Sequence, residues 1–175
     1  QFELATLYHE GRHLPKDAQR AAKWYRKAAL GGYAPAQLNL AVMLLEGEGG
    51  VADPTEAFKW LTAAAEQGHA NGQVALGMML ALGQGVEADL VEAHKWVTLS
   101  SKNGNEDAAA ALAQLVPKLT DDQLAQSAQR VQAWEASQTP PPSTPVPTPP
   151  AEPISPTEPT EPAGQEATPT TTAGK

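Results

Sequence analysis

At 175 residues the chain has room for one domain, or one domain with a tail. Its 12 Lys and Arg against 20 Asp and Glu leave a formal charge of −8, which argues against a nucleic-acid surface, because phosphate binding needs clustered cations. The absence of cysteine removes any disulfide framework, thiolate nucleophile or thiolate ligand, and no apolar run approaches the roughly 18 residues needed to span a bilayer.

Residues 1–10 predict a helix with Leu4, Ala5 and Tyr8 on its buried side, ended by Gly11. Asp17 stands at an N-cap position, and the following stretch carries Ala21, Trp24, Ala28 and Ala29 at helical spacing before Gly31 and Gly32 stop it. The segment from Ala36 to Gly68 restates this plan as helix, glycine-rich turn and helix. Its second helix opens with a capping Asp53, Pro54 at the first helical position and Glu56 three residues after the cap. Asp89 to Glu92 restates the box without the proline, and Gly104 closes that third unit. Leu40, Gly47, Gly49, Asp53, Ala57 and Trp60 recur 36 residues later as Leu76, Gly83, Gly85, Asp89, Ala93 and Trp96. They recur 36 residues earlier as Leu4, Gly11, His13, Asp17, Ala21 and Trp24. A fixed period of this size is the signature of a stacked repeat array.

Residues 106–116 predict a fourth first helix, with Leu112 in register with Leu76, but Pro117 interrupts before its partner. Thr120 and Gln123 then open another helix, whose expected apolar stripe is Leu124, Ala128, Val131 and Trp134. An array must close its last apolar face with an atypical unit, and residues 118–137 are assigned to that cap. The expected organisation is repeats at about 1–35, 36–71 and 72–107, a partial fourth with the cap at 108–137, and a Pro/Thr-rich tail at 138–175. From Thr139 onward lie 12 of the 16 prolines and no aromatic residue, a composition that predicts disorder. Prolines at 147, 150, 153, 156, 159 and 162 match the polyproline II period, and with the interspersed Glu152, Glu158 and Glu161 they read as a semi-rigid acidic spacer. Gln1 aligns with Gln37, inside the next unit's first helix, so the sequence is expected to be a fragment cut within a helix.

The second unit, with Ala36, Leu40, Ala41, Leu44, Gly47, Gly49, Asp53, Ala57, Trp60, Ala64, Ala65 and Gly68, resembles the Sel-one-like repeat, a relative of the tetratricopeptide repeat. Gly72, Leu76, Gly77, Leu80, Gly83, Gly85, Asp89, Ala93, Trp96 and Gly104 carry the pattern in the third. Two departures stand out: His13 replaces a turn glycine, and Ser100-Ser101 replaces the Ala-Ala pair. The resemblance implies an all-α, right-handed α/α superhelical solenoid that works as a non-enzymatic protein-interaction scaffold. Some relatives are cysteine-rich and bind penicillin; a chain without cysteine does not look like that branch.

No catalytic, cofactor or metal constellation emerges. Gly11 separates His9 from His13, Ser100-Ser101-Lys102 lacks the Ser-x-x-Lys spacing, and the glycine turn at 47–50 lacks the Lys-Ser/Thr of a phosphate loop. Trp24, Trp60 and Trp96 read as packing knobs, and Asp53 and Asp89 as helix caps. One apolar stripe is left over on the first helices: Leu38, Val42 and Leu45, then Val74, Met78 and Ala81, continuing Phe2, Thr6 and His9. In repeats of this type the first helices line the concave side, so the stripe is either buried by superhelical curvature or an apolar groove on the concave face for a protein or peptide partner, made adaptable by Met78 and Met79. The alternatives are a cell-envelope accessory that binds or acts on peptidoglycan or its precursors, and a module that self-associates. The tail's composition suits a periplasmic or exported protein.

Overall fold

The computed structural model describes residues 1–138. These form α1 (Phe2–Glu10), α2 (Ala18–Leu30), α3 (Ala34–Glu46), α4 (Pro54–Glu66), α5 (Ala70–Leu82), α6 (Leu90–Lys102), α7 (Asp107–Leu115) and α8 (Asp121–Gln138). A single 3-10 turn, Val116–Lys118, joins the last two, and no strand occurs among the described residues. From α1 to α7 each helix packs on the next, and α8 folds back onto α6. The result is the all-α helix-hairpin solenoid that the repeat predicts. The expectations of disorder and polyproline II structure for the tail lie outside the described residues.

Each repeat is closed by the same short-range chemistry. The Asp17, Asp53 and Asp89 carboxylates accept from the amides of Arg20, Glu56 and Glu92 at 2.9, 2.8 and 2.8 Å, satisfying donors that a helix start leaves orphaned. The amides of the same aspartates donate back to the carbonyls of Tyr8, Leu44 and Leu80, so one residue both starts the second helix and ties it to the first.

The turn glycines serve two purposes. Gly49 and Gly85 have φ of 80° and 70°. A Cβ on either would also sit 2.5 Å from the preceding pair's second helix, against the Ala18 carbonyl oxygen or the Pro54 carbonyl carbon. His13, at the same step of the first turn, keeps the left-handed conformation with φ 62°.

The three tryptophans pack against the core to different depths. Trp96 is buried, whereas Trp24 and Trp60 are half-buried on the flank of their helices. The fully buried position is the next one along, occupied by Tyr25, Leu61 and Val97. Val97 meets Gly77 so closely that a Cβ there would lie 2.6 Å from Val97 Cγ2. Trp96 differs because α8 covers it: its ring meets that of Trp134 edge-on, with centroids 6.0 Å apart.

The cap opens as its sequence requires, with a reciprocal pair of hydrogen bonds. Thr120 Oγ1 accepts from the Gln123 amide at 3.3 Å, and Gln123 Oε1 accepts from the Thr120 amide at 3.0 Å. Its inward stripe differs from the expected one, because Ala128 is exposed and Ser127 is fully buried. The Ser127 hydroxyl lies 2.8 Å from His94 Nδ1 of α6, a buried polar group that an alanine would leave unpaired. Around Val131 and Trp134, Arg130 reaches Glu92 at 2.8 Å and Lys102 reaches Glu135 at 2.7 Å. The Ser100 departure is also explained. Its hydroxyl, fully buried, donates to the Ala70 carbonyl at 2.7 Å.

Candidate functional site

Helix α3 touches α5 and α5 touches α7, so the first helices form one row, the inner row on the reading that they line the concave side, while α8 lies against α6. Along it Leu38, Leu45, Val74, Met78 and Ala81 are half-buried against the core, while Val42 is 37% exposed. At helical spacing on α3 and α5, these six apolar residues are the stripe, or seam, read from the sequence. Met79, read with Met78 as adaptable surface, is instead buried in the core, as is Met43 one repeat earlier. The seam's continuation on α1 is more heavily engaged. Phe2 packs on Tyr25 and Tyr33, Thr6 Oγ1 lies 3.2 Å from the Tyr25 hydroxyl, and His9 Nε2 lies 2.7 Å from Glu48 Oε2.

Between the repeats runs a buried amide ladder that the motif reading missed. Gln37 Nε2 donates to the Ala29 carbonyl at 3.2 Å, and its Oε1 accepts from Gln67 Nε2 at 2.8 Å. One repeat later Gln73 Nε2 donates to the Ala65 carbonyl at 3.2 Å, and its Oε1 accepts from Asn103 Nδ2 at 3.0 Å. The recurrence of glutamine at 37 and 73, on otherwise apolar faces, was the signal available for it. Replacing Gln73 with Leu leaves the buried Ala65 carbonyl and the Asn103 amide without these partners. We expect a loss of roughly 2–4 kcal/mol in urea denaturation. A change below about 0.5 kcal/mol would show the rung to be dispensable.

The charged groups at the repeat junctions are structural in geometry. A hydrogen bond from His9, aided by Lys16 at 3.7 Å, holds the Glu48 carboxyl below its ordinary value. Arg26 does the same for Glu56, which also accepts from Trp60 Nε1 at 3.0 Å. Arg26 and Arg130 are correspondingly raised, by hydrogen bonds to Glu56 and Glu92. The Ser127–His94 pair is not a nucleophile and base, because Ser127 is sealed between α6 and α8. Among the described residues no group of three or more His, Cys, Asp or Glu could hold a metal ion, and no helix is long and apolar enough to cross a membrane.

Two histidines give the fold a pH dependence of definite sign. His69 caps α5, its Nδ1 accepting from the Gly72 amide at 3.1 Å, and burial pushes both His69 and His94 below the ordinary 6.5. The unfolded chain therefore binds more protons just below that pH, so stability is complete above about 6.5 and falls as pH drops through it. The Tm should decline as pH falls below about 6.5, and the decline should be shallower in His69→Asn, which keeps an acceptor that does not titrate. The Glu48 and Glu56 contributions belong to a lower window, below about 4.5. A Tm that holds or rises over the upper window would contradict this.

The Sel1 repeat model matches residues 1–33, 34–69 and 70–105. No curated protein gives a significant sequence match. Among solved structures, the chain is similar to a Sel1 repeat protein from Oxalobacter formigenes, with 34% identity and a TM-score of 0.61, covering 63% of this chain and 45% of that one. It is also similar to a protective antigen of uropathogenic Escherichia coli strains that displays an SLR fold. That match has 31% identity and a TM-score of 0.65, covering 77% of this chain and 37% of that one. The chain thus spans less than half the length of either structure. With three consecutive units matched and the helix hairpins stacked as described, this chain belongs to the Sel1 repeat family.

Proposed function

We propose that this chain is a non-enzymatic scaffold that holds an extended peptide or a helix of a partner protein along Leu38, Val42, Leu45, Val74, Met78 and Ala81. Sel1 repeats are protein-interaction modules, and the seam is where this chain's inner row departs from a solvated surface. The carrying observation is the composition of the two central first helices. Helix α5 contains no charged residue, and α3 has none before Glu46. A helix apolar on every side needs a partner on its outer face as well as its inner one. Met78 adds an unbranched, polarizable side chain that adapts to what it meets.

The test is affinity capture with the full chain beside a Val42→Glu, Met78→Glu variant and a Val51→Glu control in an exposed turn. Circular dichroism should show equal helicity in all three. Capture of a defined protein by the parent and the control, but not by the double variant, is expected. Equal capture by all three would move binding off the seam. Collapse of helicity in the double variant would show these side chains to be core.

A further inference from the structure

The outward face of α2 has a different chemistry from the rest of the molecule. It carries Arg20, Lys23, Arg26 and Lys27 and no acidic residue, in a chain with 12 basic residues and a formal charge of −8. These cations border a shallow cleft floored by Trp24 and Leu30, and Leu30 is 72% exposed.

The other two repeats serve as an internal control. Where α2 has Arg20, Arg26, Lys27 and Leu30, α4 has Glu56, Thr62, Ala63 and Glu66. At the same steps α6 has Glu92, Thr98, Leu99 and Lys102. Features that the stack requires recur in all three second helices, such as the capping aspartate and the tryptophan. Lys23 recurs as Lys59 and Lys95, but the combination of Arg20, Arg26, Lys27 and Leu30 does not, so the fold does not require that combination. The lysine in Lys23's place on α6 is Lys95, 12% exposed and paired with Glu92 at 2.6 Å. With Arg20 in the place of that glutamate, Lys23 has no such neighbour. Arg20 is held by Asp17 at 3.2 Å, and Arg26 is held by Glu56. Lys23 and Lys27 pair with no carboxylate among the described residues, and Lys27 Nζ rests 4.3 Å from the centre of the Trp24 ring.

We propose that this face binds an acidic peptide segment of a partner protein. One apolar residue of the segment sits in the Trp24–Leu30 cleft, and carboxylates on either side meet Lys23 and Lys27. Charge complementarity selects an acidic occupant, and the exposed cleft requires it to carry an apolar anchor. The helix is about 20 Å long, the reach of about six extended residues. Asp17 on Arg20 and Glu56 on Arg26 neutralise the outer cations and confine the unpaired positive charge to Lys23 and Lys27, which suits a short peptide better than a polyphosphate backbone or an anionic bilayer.

The experiment is fluorescence anisotropy with the full chain and a labelled synthetic peptide of Asp and Glu around one central Phe, at low and moderate salt. Saturable binding should weaken roughly tenfold or more in the Lys23→Glu, Lys27→Glu variant, and by a similar factor when the peptide's Phe becomes Ala. The charge-reversed variant should instead bind the matching Lys-rich peptide. The Val42→Glu, Met78→Glu variant should bind the acidic peptide as the parent does, which separates this face from the seam. Absence of saturable binding, or equal affinity in parent and charge-reversed protein, would overturn the proposal. So would Lys23- and Lys27-dependent partition onto phosphatidylserine vesicles with no peptide binding.

Discussion

Alanine in place of Trp96 is expected to lower the unfolding free energy by roughly 3–5 kcal/mol, the cost of emptying a large buried site. The same change at Trp24 should cost clearly less, because that ring is half-buried, with the Lys27 ammonium 4.3 Å from its centre. The difference comes from the cap. Helix α8 brings Trp134 against Trp96, so truncating either ring opens the same interface. The two substitutions should therefore be non-additive, with a coupling of about 0.5–1.5 kcal/mol in a double-mutant cycle. Urea denaturation of the four proteins measures both quantities. Equal losses at Trp24 and Trp96 would mean that the cap adds nothing to the burial of the third tryptophan.

The second large effect is expected at Gly85. Alanine at Gly104, with φ 80° and nothing within 4 Å of its Cβ position, should cost about 1–2 kcal/mol for the left-handed backbone alone. Alanine at Gly85, with a similar φ, must also push back the Pro54 carbonyl carbon from 2.5 Å. That main-chain atom starts α4 and cannot rotate away, so a further 1–3 kcal/mol or so is expected. Comparing the two variants in one denaturation series isolates the close approach between repeats from backbone strain. Matching losses would show that α4 and the turn separate easily, and that the stack is looser than the geometry indicates.

How much of this was legible in the sequence depended on which interactions repeat with the chain's own period. The capping aspartates, the turn glycines and the Thr120–Gln123 box each act within a few residues, so their spacing alone announced them. Even the His13 departure could be placed, since the turn around it was fixed by its neighbours. The recurrence of the tryptophans was clear in the sequence while their depth was not. Burial of Trp96 rests on Trp134, 38 positions away on a helix outside the repeat register. Ala128 misled for a related reason: an apolar pattern on α8 favoured it, but His94 on α6 supplied a polar partner that only Ser127 could meet. The seam was legible as a stripe but not in its exposure. Met79 is buried at the same step as Met43, on the core side of its helix, whereas Met78 stands one position round it.

The glutamine rungs have a consequence for how such a chain can change its length. Each joint is generic on one side and particular on the other. Gln37 and Gln73 donate to main-chain carbonyls of the preceding pair, Ala29 and Ala65, which any sequence would offer. Their acceptors are filled by an amide from their own pair, Gln67 or Asn103. A unit such as residues 34–69 therefore carries both side chains of its rung with it, and the rung needs from its predecessor only a main-chain carbonyl in the right place. Duplicating such a unit within the array adds a complete joint and leaves the existing ones intact, whereas adding a single residue inside a helix dislocates one. Alanine at position 109, in register with Gln37 and Gln73, withholds the connector where the array gives way to its cap.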